Sequence, residues 1–196
     1  KNKINSKLYL EKPIAPNPSK GFKLLKYLKK EGIIFKVAYL FFYCKWSKIL
    51  NKREDISIKW YFKSKTFTAK NWKSNEKKGG GIINFYAIHF IALISKLGNF
   101  VCVESNLSKN IWNATYRYKS RFIKIEININ KIETFIIQSK NKTLYKASSP
   151  FYKRKLKNKI DPRITFLTQY LKDTKQNLNH HKINILWEET LKKTKK

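Results

Sequence analysis

His89 is the side chain of this sequence whose surroundings point most clearly to proton chemistry. It lies near the middle of GGGIINFYAIHFIALISKLG, residues 79–98. Apolar residues between Ile82 and Leu97 fall on nearly every side of a helix, which predicts a helix buried on most faces. A buried imidazole needs partners for its polar atoms. His89 is therefore either a core histidine bonded to a backbone carbonyl or one half of a reactive pair, whose second group would come from the amino-terminal stretch.

A strand, a helix and a second strand are predicted in that amino-terminal stretch. KLYLEKP, residues 7–13, reads as a short strand. Apolar spacing predicts a helix over 20–30, with Ser19 as its cap and Gly32 as its C-terminal stop. Residues 33–44 are rich in β-branched and aromatic side chains, as in a fully buried strand. Together these segments predict a βαβ unit with parallel strands, the closing unit of a doubly wound sheet.

The residues after 44 predict a mainly antiparallel sheet. Residues 45–51 favour a short bridging helix, and residues 56–68 alternate as a strand with one wet face. Four closely spaced segments after the buried helix are typical of an antiparallel meander: residues 100–104, 112–118, 121–128 and 133–139. The apolar face of such a sheet needs a cover, and the 79–98 helix is the obvious candidate.

Two helical segments complete the predicted fold. One spans 161–173 and is expected to turn Ile164, Leu167, Tyr170 and Leu171 inward, and the other spans 183–191. The fold class predicted is therefore α/β (α+β). A last βαβ unit precedes a domain whose open, mainly antiparallel sheet is covered by helices.

The strongly basic composition suggests a polyanionic partner, but it has a second explanation. Net charge is +32, yet only five of the 44 basic residues are arginine, which bidentate phosphate and base recognition favours. Lysine is spread along the chain among asparagines and isoleucines, a mixture that an A and T-rich coding sequence would also produce. A binding face should cluster its charge. We therefore expect no nucleic-acid partner.

Cysteine and methionine usage bear on location and completeness. Cys44 and Cys102 lie in apolar runs without metal-ligand spacing, so we expect buried thiols in a reducing, cytoplasmic compartment and no metal site. No uninterrupted apolar segment reaches the roughly 20 residues of a membrane helix, and we expect a soluble protein without a membrane partner. Because methionine is absent, Lys1 is not a translation start, and we expect the chain to be a piece of a longer one.

Three motifs, in this order, resemble the Gfo/Idh/MocA oxidoreductases, the family of glucose-fructose oxidoreductase and inositol dehydrogenase. They are LYLEKPIA, FKVAYLFF and KKGGGIINFYAIHFIALISKLG. Members of this family have an amino-terminal Rossmann domain and a carboxy-terminal domain with an open antiparallel sheet. The resemblance implies that residues 1–44 are the remnant of the NAD(P)-binding Rossmann domain. Residues 45–196 would then be the substrate and oligomerisation domain.

The same resemblance implies which residues carry the chemistry. Glu11, Lys12 and Pro13 would lie by the nicotinamide of NAD or NADP, and Lys12 and His89 would face the substrate carbon. Hydride removal from an alcohol carbon requires the hydroxyl proton to leave, so the site needs an acceptor with a pKa near neutrality. Burial of Lys12 beside a second base would lower its pKa, which makes the two residues a plausible proton-handling pair. Most of the cofactor site would lie in the missing amino-terminal region.

The sequence departs from the family beside the histidine. Many members carry an aspartate one helical turn earlier, where this chain has Phe85. Either Lys12 and His89 suffice for catalysis or the chain has lost it. If they suffice, Tyr39, Asn84 or Tyr86 would help to place the substrate, and Trp72 would supply an apolar floor for a sugar ring.

Three functions remain open on the sequence. The first is the C-terminal part of an NAD(P)-dependent oxidoreductase that transfers hydride to or from a sugar, nucleotide-sugar or polyol, inactive without its cofactor region and forming homo-oligomers through the open sheet. The second is a non-catalytic relative that binds a sugar or a partner protein through its sheet. The third is a basic nucleic-acid module, although no aromatic RNA-binding signature or zinc spacing supports it.

Overall fold

The first three elements form the parallel unit that the sequence predicts. The computed structural model describes residues 7–63, 71–151, 161, 163–173 and 178–196. Strand β1 (Leu8–Leu10) pairs in parallel with β2 (Phe35–Val37), and helix α1 (Pro18–Lys30) connects them. The cap of α1 is Asn17 rather than the predicted Ser19, because the Asn17 side chain accepts a 2.9 Å hydrogen bond from the Lys20 backbone N–H.

The second strand is much shorter than predicted. It ends at Val37, and a 3₁₀ helix at Leu40–Tyr43 replaces the rest of the expected strand. The apolar side chains there are still buried, since Phe41 has no exposed surface and packs against aromatic rings from several elements. A continuous apolar run shows burial but not the backbone conformation that achieves it, and this is why the prediction failed.

The seven-stranded sheet that follows is mainly antiparallel, as predicted. A 3₁₀ helix at Lys45–Asn51, in place of the expected short helix, leads into it. Its strand order is β8-β7-β3-β6-β5-β4-β9. The strands are β3 (Ile56–Lys63), β4 (Val101–Ser108), β5 (Ile111–Tyr118), β6 (Arg121–Asn128), β7 (Asn130–Ser139), β8 (Lys142–Ala147) and β9 (Thr194–Lys195). Residues 64–68 of the predicted third strand lie outside the described residues.

The position of β3 in the sheet corrects the predicted meander. Strands β4, β5 and β6 are consecutive antiparallel neighbours, but β3 separates β6 from β7. It runs parallel to β6 and antiparallel to β7, with Ile58 between Ile125 and Ile137. All three isoleucines are buried, so the insertion extends the apolar face without a break. Strand β8 at the sheet edge was not predicted.

Helices cover the apolar face of the sheet. A π-helical segment, Ile82–Ala87, continues as helix α2 (Ile88–Leu97), which is buried over most of its length. Helix α4 (His180–Lys193) packs against α1, α2 and β4. By length and composition the stretch Glu76–Leu97 could cross a membrane, but 78% of its apolar 18-residue window is buried inside the protein, so that apolar surface is already covered. The 79–98 segment is therefore the predicted core helix.

Helix α3 (Arg163–Lys172) lies where predicted but turns a different face to the core. Its buried residues are Phe166 and Tyr170, whereas Ile164, Leu167 and Leu171 are 51%, 41% and 48% exposed. Only Tyr170 of the predicted inward set is buried. Phe166 and Tyr170 lie four residues apart, so the helix buries one aromatic stripe rather than a broad aliphatic face. The thiols of Cys44 and Cys102 are buried and free, as predicted.

Candidate active site

Lys12 and His89, which lie far apart in the sequence, line one cavity of about 750 Å³. The carboxyl ends of β1 and β2 open into it, since Lys12 follows β1 and Ala38 follows β2. This is the end of a parallel sheet at which open α/β proteins bind ligands. The opposite wall comes from α2 and from β3. The parallel unit and the antiparallel sheet therefore meet at this cavity.

The Lys12 ammonium is held against Phe85. Its Nζ donates a hydrogen bond to the Phe85 carbonyl oxygen and lies 3.6 Å from the centroid of the Phe85 ring. Burial lowers the pKa of Lys12 to about 7, and the positive charges of Lys73 and Arg163 act in the same direction, while Glu11 opposes them. Near pH 7 a large share of the molecules therefore carry a neutral amine here. A neutral amine in a cavity can accept a proton.

The His89 imidazole is neutral and tightly packed. It is 6% exposed, stacks on Phe41 at 4.6 Å and meets Tyr39 edge-on at 6.5 Å. Burial, and then the neighbouring Lys12 charge, hold the pKa of His89 well below its usual value. Its Nδ1 is buried without a hydrogen-bond partner among the described residues. The backbone carbonyl that an ordinary core histidine would use is thus absent at this atom among the described residues.

The glycines before the π-helical segment hold Trp72 at the cavity. A Cβ atom on Gly80 would lie 2.3 Å from the Trp72 carbonyl oxygen, so only glycine lets the two backbones approach so closely. Gly79 and Gly81 have φ angles of +83° and +88°, which other residues rarely adopt. The chain then enters the π-helical segment that carries Phe85 into the cavity wall. Single π turns occur often at functional sites.

Comparison with known proteins gives structural matches only. No family model matches the sequence, and no curated protein does. The WlbA dehydrogenase from Thermus thermophilus, solved with NAD and UDP-GlcNAcA, superposes with a TM-score of 0.70 at 12% identity. The match covers 95% of this chain and 64% of that one. The WlbA dehydrogenases from Chromobacterium violaceum and Bordetella pertussis, solved with NADH and UDP-GlcNAcA, give TM-scores of 0.67 and 0.64 at 12% and 13% identity. Each of those two matches covers 96% of this chain and 69% of the other.

The chain shares the fold of the matched part of these WlbA dehydrogenases, which is the fold that the resemblance to the Gfo/Idh/MocA oxidoreductases implies. This confirms the fold that the EKP and GGG motifs predict. The chain spans less than two thirds of the length of the Thermus dehydrogenase, and sequence identity is low throughout. The likeness therefore establishes architecture, and the roles of individual residues in this Gfo/Idh/MocA fold rest on the geometry described above.

The predicted substrate-binding residues fall into two groups. Trp72 and Tyr86 line the cavity, with Trp72 47% exposed at its rim. Tyr39 and Asn84 do not line it. Tyr39 is buried against His89, whereas Asn84 accepts a 2.9 Å hydrogen bond from Trp187 Nε1 on the α4 side of the segment. These two contacts stabilise the cavity wall rather than reach its interior.

The predicted cofactor-binding residues lie together at one end of the cavity. Glu11 and Lys12 line it, and Pro13 follows them as a partly buried residue. The Lys12–Pro13 peptide bond is cis. In the fold, these three residues form the loop that leaves the carboxyl end of β1.

Four charged residues of the cavity were not predicted from the sequence: Lys63, Lys73, Glu133 and Arg163. Arg163 opens α3, where its guanidinium meets the Asp161 carboxylate at 2.5 Å and holds the pKa of that carboxyl below its usual value. Lys73 belongs to the 3₁₀ turn after Trp72. Arginine is scarce in this lysine-rich chain, which is a signal that could have singled out Arg163. Lys73 is indistinguishable by sequence from its many neighbours of the same type.

Proposed function

We propose that this chain is the C-terminal part of an NAD(P)-dependent oxidoreductase that transfers hydride to or from a carbon of a sugar, nucleotide-sugar or polyol. The observation that carries the proposal is the convergence of Lys12 and His89 on one cavity, where burial lowers the pKa of Lys12 to about 7. The neighbours solved with NAD or NADH and UDP-GlcNAcA support the same reaction class. NAD or NADP, when bound, would supply the hydride acceptor or donor.

Each residue has a distinct role in this proposal. The neutral Lys12 amine takes the substrate hydroxyl proton as hydride leaves the same carbon, and it returns the proton in the reverse direction. His89 orients the hydroxyl as a neutral hydrogen-bonding group, because the pKa of His89 lies too low for an imidazolium. Trp72 and Tyr86 present apolar surface to the sugar ring. Glu11, Lys12 and Pro13 would lie beside the nicotinamide.

The open edge of the small parallel sheet supports the proposed domain division. In this proposal residues 1–44 belong to a Rossmann domain and residues 45–196 form the substrate and oligomerisation domain. Leu8 and Tyr9 on β1 are 39% and 44% exposed, and Ile34, just before β2, is 64% exposed. Such exposed apolar side chains on a two-stranded parallel sheet support the proposal that further strands cover it in the full-length protein.

The open face of the large sheet supports a polar contact between subunits. Four strand aromatics face the helices instead of solvent, namely Trp60, Trp112, Tyr116 and Phe135, whereas Tyr61 and Phe122 lie on the outer face. The outer face carries Lys59 opposite Glu126 on the paired strands, with Glu104 and Lys124 nearby. We propose a homo-oligomer joined through this face, which increasing salt would weaken.

We further propose a cytoplasmic location, with neither nucleic acid nor membrane among the partners.

The proposal is tested on the full-length protein. Reduction of NAD and of NADP is followed by absorbance with nucleotide-sugars, free sugars and polyols as substrates. Removal of a general base costs about 10²–10⁴-fold in rate, so Lys12→Ala should lose turnover by that factor. His89→Ala should lose turnover as well, whereas Lys29→Ala on exposed α1 serves as the matched control. Equal turnover in the wild type and the three variants would contradict the roles assigned to Lys12 and His89.

A non-catalytic relative is the second candidate, favoured by Phe85 at the position where many members carry aspartate. In that case titration calorimetry would record saturable sugar or protein binding, while no preparation of the full-length protein would reduce either cofactor. Binding that Lys12→Ala leaves unchanged, together with absent turnover, would favour this candidate over the oxidoreductase.

A further inference from the structure

We infer that Phe85 is a positioning residue for Lys12, its ring face and its backbone carbonyl together fixing Nζ at the cavity wall. Only the use of the Lys12 amine as a proton acceptor rests on the proposed function. The contact itself is a property of the fold. Nζ meets the carbonyl oxygen and lies 3.6 Å above the ring of the same residue. One side chain is thus held by two groups of one residue in another element.

Phe85 contacts the Lys12 ammonium directly, whereas the charged groups around Lys12 act on it from a distance. No carboxylate oxygen lies within 4.0 Å of Nζ among the described residues. Glu11, in the same loop, favours the charged form of Lys12. Lys73 in the 3₁₀ turn and Arg163 on α3 disfavour it. His89 on α2 is neutral, and Lys63 and Glu133 lie elsewhere on the cavity wall. A ring face attracts a cation more strongly where water is excluded.

The Phe85 ring is itself held in place. Trp72 meets it edge-on at 5.6 Å with an interplanar angle of 79°, and Tyr86 does so at 4.9 Å and 86°. Lys73 places a second ammonium 5.5 Å from the same ring. Edge-to-face contacts of this kind fix ring orientation. A fixed ring holds Nζ in one position. The remaining N–H or lone-pair positions of the amine are then directed to groups in the cavity.

A carboxylate at this position would hold Lys12 differently. It would pair with the ammonium and keep it charged near neutral pH. The aromatic ring attracts the ammonium more weakly, so the amine can lose its proton in the same place. We therefore assign to Phe85 the positioning of Lys12 without the strong stabilisation of its charge.

The experiment measures the Lys12 amine directly and needs no substrate. The purified chain is treated with trace acetic anhydride over a range of pH, and acetylation of the peptide that contains Lys12 is quantified by mass spectrometry. The pH of half-maximal reactivity reports proton loss from that amine. Phe85→Leu should lower this midpoint by about 0.5–1.5 pH units, because the attraction of the ring for the ammonium is lost. Phe85→Tyr should keep the wild-type midpoint, and Phe85→Asp should raise it.

The controls separate positioning from simple opening of the cavity. Phe151→Leu removes another ring of the same cavity, which packs on Phe41 and Phe166, and should leave the midpoint unchanged. If Phe85 only fills space, Phe85→Leu admits water and the midpoint rises or stays, which would overturn the inference. Near-UV circular dichroism checks each fold, and Phe85→Met replaces Phe85→Leu if the latter is perturbed. A lowered midpoint in a protein whose full-length form has no dehydrogenase activity would keep this role for Phe85 and reject the proposed function.

Discussion

Replacing Lys12 by methionine should stabilise the fold below pH 7 and have little effect at high pH. The pKa of Lys12 falls from 10.5 to about 7 on folding, chiefly because of burial. Between these two values the unfolded chain binds a proton at Lys12 that the folded chain does not. The free energy of unfolding therefore rises with pH by about 1.4 kcal/mol per pH unit, up to a total of about 5 kcal/mol. This gain in the free energy of unfolding is fully present above pH 10.5 and is lost as the pH falls to about 7.

The assay compares denaturant unfolding of wild type and Lys12→Met from pH 6 to pH 10. Exposed lysines titrate alike in both proteins, so their effects cancel in the difference between the two free energies of unfolding. Between pH 7 and pH 9 that difference should shrink by about 3 kcal/mol. Lys12→Leu, which also has no charge, should follow the methionine variant. A difference in the free energy of unfolding that stays constant from pH 6 to pH 10 would refute the reasoning. It would mean that Lys12 keeps an ordinary pKa in the folded state.

Further substitutions test the walls of the cavity and its supports. Gly80→Ala should lower the free energy of unfolding by about 1–3 kcal/mol, because its Cβ would meet the Trp72 carbonyl oxygen at 2.3 Å. Gly98→Ala would place its new Cβ at an ordinary contact distance of 3.4 Å from the Tyr118 ring, and chemical denaturation should give it the smaller loss. Trp187→Phe should cost about 1–3 kcal/mol by leaving the buried Asn84 oxygen unpaired. The double variant with Asn84→Leu should recover part of that cost, and a double variant that recovers none would contradict the pairing.

The regular elements could be predicted because each shows its period locally. Strand β6 alternates isoleucines with polar residues, and three of those isoleucines are buried where expected, Ile123, Ile125 and Ile127. Helix α2 was evident from the largely apolar segment between Gly81 and Gly98. The insertion of β3 beside β6 could not be predicted, because pairing between distant strands leaves no mark in either strand alone.

Only part of the candidate site could be anticipated. The resemblance brought together Lys12 and His89, and the structure places both on one cavity. Periodicity alone would have left Lys12 as a solvated lysine at a strand end. Tyr39 and Asn84 pack behind the cavity because the π-helical segment and the 3₁₀ turn rotate side chains away from the directions of a regular helix or strand. Arg163 enters from a helix whose packing face was predicted incorrectly.

The central claim is that the Lys12 amine accepts the substrate proton, and a pH–rate profile tests it most directly. The ratio kcat/KM of the full-length protein, measured with an active nucleotide-sugar, sugar or polyol, should rise through a group with a pKa of about 7 and then level off. In Lys12→Ala the residual activity should lack that rise. A profile for Lys12→Ala that keeps the same rise at the same pH would contradict the account, because another group would then be the proton acceptor.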